Sequence, residues 1–212
     1  EGDFPQVFES LSPTPDLGPP PEGVPLDAAT IEATAASTVR ISAEACGRVQ
    51  QGSGFVVAPG VVATNAHVVA GQVAPTIHRA DGVARPGRVV SFDPQLDLAL
   101  LAVDDLDRPP LLLAEPGGDG VEAAVFGHPG GAPLRIAPAR VVRELAATGR
   151  DIYGRNGADR QVLELASELR PGDSGGALVA ADGSVIGVTA VAREKRTPSL
   201  ASRSRVGVSM LR

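Results

Sequence analysis

An all-β fold is what this sequence predicts, built from two successive series of short strands, each able to close a small barrel. Three observations carry that expectation. Apolar residues alternate over short runs, and no long stretch repeats them about every 3.6 residues as a buried helix would. Turn dipeptides such as Pro59-Gly60, Asp81-Gly82 and Asp182-Gly183 separate the runs. At 212 residues with 43% hydrophobic side chains, the chain can form one all-β unit of two packed barrels around a sizeable core.

The elements follow in order. Residues 1–25 read as a proline-rich linker, because Ser12 to Pro25 includes Pro19-Pro20-Pro21 and favours semi-rigid polyproline II. Asp27 can cap a short helix from about Ala28 to Ala36, its carboxylate accepting from the first free N–H groups. Residues 26–212 form the folded domain. The first barrel, 26–115, takes strands at Thr38 to Ala43, Gly54 to Ala58, Val61 to Thr64, Pro75 to His78, Arg85 to Ser91 and Leu98 to Val103. The second barrel, 116–212, takes Glu122 to Phe126, Leu134 to Glu144, Arg150 to Gly154, Gln161 to Ala166, Ala177 to Ala180 and Val185 to Val191. Asp182-Gly183 suits the hairpin between the last two.

Composition narrows the function classes. A net charge of -6 argues against nucleic acid as a partner, since phosphate binding needs a basic face. The arginines between Arg193 and Arg212 lack interleaved aromatics and read as a solvated segment. No apolar run approaches the ~18 residues of a membrane span. Three dispersed histidines and one cysteine give no metal-ligand spacing, so neither a metal nor a cofactor is expected. The first residue is Glu1 and not Met, as in a mature form or an excised domain.

Gly172-Asp173-Ser174-Gly175-Gly176 sets one serine among glycines. The glycines leave a carbonyl room to approach, and the N–H groups of Gly172 and Ser174 can form an oxyanion hole. Alone, such a run is a turn, and a serine needs a base to become nucleophilic. His67, after the apolar run Val61 to Thr64, supplies a candidate base, and Asp97, ahead of Leu98-Ala99-Leu100-Leu101, a candidate to orient it. Separately, the histidine reads as a packing residue and the aspartate as a turn cap, with Asp93 a rival nearby. Together they stand in the order His, Asp, Ser that is found in chymotrypsin-type enzymes and not in subtilisins or α/β-hydrolases.

The segments Gly52-Ser53-Gly54-Phe55-Val56-Val57, Thr64-Asn65-Ala66-His67-Val68-Val69, Asp97-Leu98-Ala99-Leu100-Leu101 and Pro171-Gly172-Asp173-Ser174-Gly175-Gly176 resemble trypsin-like serine proteases of the bacterial HtrA type. More narrowly, the chain is similar to the periplasmic domain of the membrane-tethered acid-resistance serine proteases of mycobacteria. The resemblance implies two packed six-stranded antiparallel barrels, chymotrypsin-like, with the site in the cleft between them. It implies a serine endopeptidase acting through His67, Asp97 and Ser174 on protein or peptide substrates, by way of an acyl-enzyme. It also implies a periplasmic or extracytoplasmic place, membrane segments upstream of residue 1, and a role in stress response or envelope maintenance. Asp173 takes a structural role beside the oxyanion loop. Self-cleavage in the proline-rich linker is a further expectation.

By the same resemblance, the substrate pocket lies between Glu168, Leu169, Arg170 and Pro171 on one side and Ala190, Val191 and Ala192 on the other. Small residues there predict a mixed apolar preference, and Glu168 makes a Lys/Arg preference the rival. His78 is expected at the surface and His128, in Gly127-His128-Pro129-Gly130-Gly131, in a solvent-facing turn. In the mycobacterial relatives a cysteine near position 46 pairs with one near the C-terminus, a partner that Cys46 lacks here. After Val191 the sequence departs from the family, so an incomplete end of the second barrel is expected, apart from a short alternating stretch at Val206 to Leu211. A catalytically silent trypsin-like fold serving as a binding or scaffold module is the alternative, and esterase activity alone is a third.

Overall fold

The computed structural model describes residues 17–45, 48–72, 74–191 and 206–209; Cys46 and Ala192 lie outside them. Asp27 opens helix α1 (Ala28–Ser37), its carboxylate accepting the Thr30 N–H at 2.7 Å. Ahead of it, Leu17 is buried and Val24 and Leu26 pack on the domain core, so this end of the proline-rich stretch lies against the fold.

The first sheet contains β1 (Thr38–Ala45), β2 (Arg48–Ala58), β3 (Val61–Thr64), β4 (Thr76–His78), β5 (Ala84–Pro86), β6 (Arg88–Asp93) and β7 (Leu98–Ala102). Its order is β5-β4-β1-β2-β3-β7-β6, antiparallel throughout. The two edge strands are separated in sequence only by Gly87, which obliges the sheet to curl until its edges meet. The single strand expected from Arg85 to Ser91 is therefore two, and this sheet carries seven strands instead of six. Gly87 donates to the Pro75 carbonyl at 2.7 Å at the change of partner. A side chain at Gly87 would press on Ile77 at 3.2 Å.

The second sheet contains β8 (Glu122–Gly127), β9 (Arg135–Arg150), β10 (Asn156–Ser167), β11 (Ala177–Ala180), β12 (Val185–Val191) and β13 (Val206–Ser209), in the order β10-β9-β8-β11-β12-β13. Strand β13 pairs antiparallel with β12 and lies against β10, so the end of this barrel, expected to be incomplete, carries a strand. The segment 193–205 lies outside the described residues.

Burial explains why several strands are apolar on both faces. In β7, Ala99 and Leu101 fill the core of the first barrel, while Leu98 and Leu100 face a cluster shared with the second, around Phe55, Phe126, Ala124 and Val188. A strand covered on both sides has no solvent face to mark with polar residues. The second barrel has its own core around Val125, Val141, Leu163, Leu165 and Leu178. Among the described residues no helix is long and apolar enough to cross a membrane.

One expected strand, Arg150 to Gly154, is instead the turn of the β9–β10 hairpin. The Asp151 carboxylate accepts the N–H groups of Tyr153 and Arg155, each at 2.9 Å, and such side-chain-to-backbone bonds compete with strand pairing. This turn belongs to the second sheet but docks on the first barrel. Ile152 is 1% exposed within the first core, its N–H donates to the Pro94 carbonyl at 3.2 Å, and Tyr153 lies 6.5 Å from the Phe92 ring. Ile152→Ala should therefore cost about 2–5 kcal/mol of stability, as buried truncations do. Urea denaturation would check this; a loss below ~1 kcal/mol would mean that the hairpin tip is not part of that core.

Candidate active site

Strand β3 ends at Thr64, and His67 lies on a one-turn helix, α2 (Ala66–Val69), that follows directly. The histidine thus sits just beyond the apolar strand. Its flanking residues Ala66, Val68 and Val69 are buried in the first core and anchor the turn.

Asp97 grips His67 with both carboxylate oxygens. Oδ2 lies 2.8 Å from Nδ1 of the ring, and Oδ1 accepts the His67 backbone N–H at 2.9 Å. The Asn65 amide donates to the Asp97 carbonyl at 2.9 Å. Asp97 is 2% exposed and has φ of 56°, a left-handed conformation that is uncommon outside glycine. What delivers it is the preceding turn, where the Asp93 carboxylate accepts the N–H groups of Gln95 and Leu96 at 2.8 Å. Asp93 is committed to this turn, and Asp97 alone of the two reaches the histidine. Burial disfavours a charged His67 ring, but the Asp97 charge and hydrogen bond outweigh it and raise its pKa above 6.5.

Ser174 lies in the loop between β10 and β11, 5% exposed. Along residues 172–176, Asp173 N–H donates to the Arg170 carbonyl at 2.9 Å, Gly175 N–H to Thr189 at 2.8 Å and Gly176 N–H to Asp173 at 3.0 Å. The N–H groups of Gly172 and Ser174 donate to no acceptor among the described residues. The Ser174 Oγ accepts the Val191 N–H at 3.0 Å, and no hydrogen bond joins it to His67. The loop nevertheless abuts the segment that carries the histidine. Ser53 N–H donates to the Ser174 carbonyl at 2.8 Å, and a side chain at Gly175, whose φ is 85°, would collide with the Ser53 carbonyl and the Thr64 hydroxyl.

The other expected residues divide. The Asp173 carboxylate accepts the Arg170 N–H at 2.8 Å and lies 3.8 Å from the Arg135 guanidinium, and burial pushes its pKa up. Glu168 is exposed, its carboxylate 3.8 Å from Arg135 and its carbonyl accepting from the same guanidinium at 2.7 Å. Leu169 is buried in the second core. Arg170 and Pro171 are exposed, Ala190 packs beside Val162, and Val191 is half-buried.

The sequence reading also misplaced His128. It is 7% exposed, with Nδ1 3.0 Å from the Ala132 carbonyl, because the glycine-rich segment folds back onto the loop that carries Ser174. Gly130 N–H donates to the Pro171 carbonyl at 2.7 Å, and a side chain at Gly172 (φ 103°) would strike Gly130 N and the His128 carbonyl. His78 is half-buried, its Nε2 2.8 Å from the Ser42 hydroxyl. Two residues went unnoticed. Ser53 ties the loop as described below, and Arg160 on β10, 5% exposed, reaches the Gln95 carbonyl beside Asp97 and the Arg150 carbonyl. Ser53 stands within the Gly52 to Val57 segment that carries the resemblance, but nothing local marks its partners, and Arg160 leaves no local signal.

A family model described as the trypsin-like peptidase domain matches residues 52–188. The serine protease Rv3671c of Mycobacterium tuberculosis is 39% identical over 190 residues, 87% of this chain and 48% of that protein. The crystal structure of its active form matches with a TM-score of 0.83 and 35% identity, over 96% of this chain and 89% of that one. A probable periplasmic serine endoprotease, DegP-like, of Chlamydia pneumoniae is 32% identical over 142 residues, 65% of this chain and 28% of that protein. The HtrA-type protease AlgW bound to a tripeptide matches with a TM-score of 0.70 and 26% identity, over 86% of this chain and 58% of that one. The chain spans about half the length, or less, of the curated relatives it matches.

Asp97→Asn should move the His67 pKa from above 6.5 to below it, because the burial that opposes charge would remain while the carboxylate that favours it would be gone. Titration of the imidazole by NMR reads this directly, and an unmoved midpoint would contradict the two-oxygen grip.

Proposed function

The chain belongs to the trypsin-like peptidase family, and on that premise we propose that it is a serine endopeptidase with Ser174 as nucleophile, His67 as general base and Asp97 as the group that orients it. The observation that carries this reading is the pairing state of the loop: of the N–H groups of residues 172–176, the two without acceptors among the described residues are those an oxyanion hole needs.

The chemistry then runs through the chain's own groups. The Ser174 hydroxyl leaves the Val191 N–H, turns to His67 and gives its proton to Nε2 as Oγ attacks the substrate carbonyl. Asp97, bonded to Nδ1, holds the tautomer in which Nε2 is free to accept and stabilises the imidazolium that forms. The new oxyanion accepts from the N–H groups of Gly172 and Ser174. His67 returns the proton to the leaving amine, and water, activated by the same imidazole, releases the acyl group from Ser174.

Substrates are proteins or peptides with an apolar residue before the scissile bond. Support comes from Glu168, which is exposed and shares Arg135, so the one acidic candidate for a basic selector is already engaged. The enzyme acts outside the cytoplasm, tethered through segments upstream of residue 1, in stress response or envelope maintenance. The name of its periplasmic relative supports the compartment. Self-cleavage in the proline-rich segment would free it from such a tether.

Ser174→Ala and His67→Ala should each lower turnover by about four orders of magnitude, since the three groups act as a unit. Fluorophosphonate should label Ser174 and fail to do so in His67→Ala; a folded wild-type chain that resists the probe would make this a silent scaffold. Profiling against a peptide library should return apolar residues, and a strict Lys/Arg pattern would overturn the pocket assignment. Because His67 must be neutral to act as base and its pKa is raised, kcat/KM should fall toward acid through a midpoint above 6.5. A midpoint at or below the unperturbed value would remove Asp97 from the role assigned to it.

A further inference from the structure

We propose that Ser53, on β2 of the first barrel, is a positioning residue for the oxyanion loop of the second, bracing the peptide units next to those that aim the Gly172 and Ser174 N–H groups. The proposal rests on the peptidase reading above. Ser53 is fully buried, and every polar group it has is used on the site. Its N–H donates to the Ser174 carbonyl at 2.8 Å, and its carbonyl accepts from the Thr64 hydroxyl at 2.7 Å. Its own hydroxyl donates to the Gly172 carbonyl and accepts the His128 N–H, both at 2.8 Å.

The consequence follows from peptide geometry. In a trans peptide the carbonyl and the following N–H point in opposite directions, so tethering one aims the other. All four carbonyls from Pro171 to Ser174 are tethered. Pro171 accepts from Gly130 at 2.7 Å, Gly172 from the Ser53 hydroxyl, Asp173 from the Thr189 hydroxyl at 2.7 Å, and Ser174 from the Ser53 N–H. The first and third of these tethers aim the two candidate oxyanion donors directly. Ser53 braces the peptides on either side of the third, and through the His128 N–H it holds the segment that supplies Gly130 for the first. Gly172 has φ of 103°, a conformation the residue does not impose on itself, so the loop keeps its shape only by being held. Removing the hydroxyl would leave a buried carbonyl and a buried N–H without partners, and the loop would move to satisfy them.

The test compares wild type with Ser53→Ala, each confirmed folded at the assay temperature by a thermal melt. Kinetics on a peptide amide are measured alongside binding of a peptide aldehyde, which forms a tetrahedral adduct, and of the matching peptide alcohol, which does not. Loss of one oxyanion donor costs about 10²–10³ in turnover, so misaiming both should lower kcat by roughly 10- to 100-fold. KM and affinity for the alcohol should stay within about threefold while affinity for the aldehyde falls with kcat. If Ser53→Ala does not fold, Ser53→Cys, with a weaker donor of similar shape, takes the same measurements. Unchanged kcat, or equal losses for aldehyde and alcohol, would overturn the role of Ser53 while leaving the peptidase intact. A wild-type chain inert to both peptide and fluorophosphonate would instead sink the peptidase reading and this proposal with it.

Discussion

The grip of one carboxylate on both the ring and the backbone of a single histidine is the constraint around which this molecule is arranged. For Asp97 to offer one oxygen to Nδ1 and the other to the amide of the same residue, its backbone must take a left-handed conformation at the foot of β7. Such a conformation costs on the order of 1–3 kcal/mol and persists only when its surroundings over-determine it. They do so from three directions. Asp93 closes the turn ahead of it, Asn65 holds its carbonyl, and the second barrel sends Arg160 and Ile152 to the carbonyls of Gln95 and Pro94.

The two barrels therefore divide the work without being independent. The first supplies His67 and the carboxylate bound to it, the second Ser174 and the loop around it. Between them lies an apolar layer centred on Phe55 and Phe126, and at its rim a set of polar ties in which Ser53 is the principal member. The apolar layer makes the barrels adhere, but it is non-directional. Directed hydrogen bonds set the relative placement of His67 and the Ser174 loop.

Much of this was legible in the residues. The helix after Asp27, the short apolar runs of β3, β7, β11 and β12, and the joint presence of His67, Asp97 and the glycine-flanked Ser174 all announce themselves locally. What escaped reading is non-local or is decided by a side chain competing with the backbone. Ile152 and Tyr153 alternate like strand residues, yet Asp151 bends them into a turn. Gly87 passes unnoticed inside an apparently continuous strand because only the closed barrel demands a change of partner there. His128 sits among glycines, a composition that reads as exposed loop, and its burial depends on segments far away. Ser53 meets its hydroxyl partners 75 and 119 residues further on, a range over which no periodicity can speak.

The reach of the β9–β10 turn into the opposite barrel has an evolutionary corollary. A module that can be exchanged must carry its own core, and here the first barrel borrows Ile152 from beyond the midpoint of the chain. Recombination at the connection between barrels would separate the His67–Asp97 pair from the wedge packed in the same core. The two halves thus share part of one core, and a change at the hairpin tip falls on the first barrel as well.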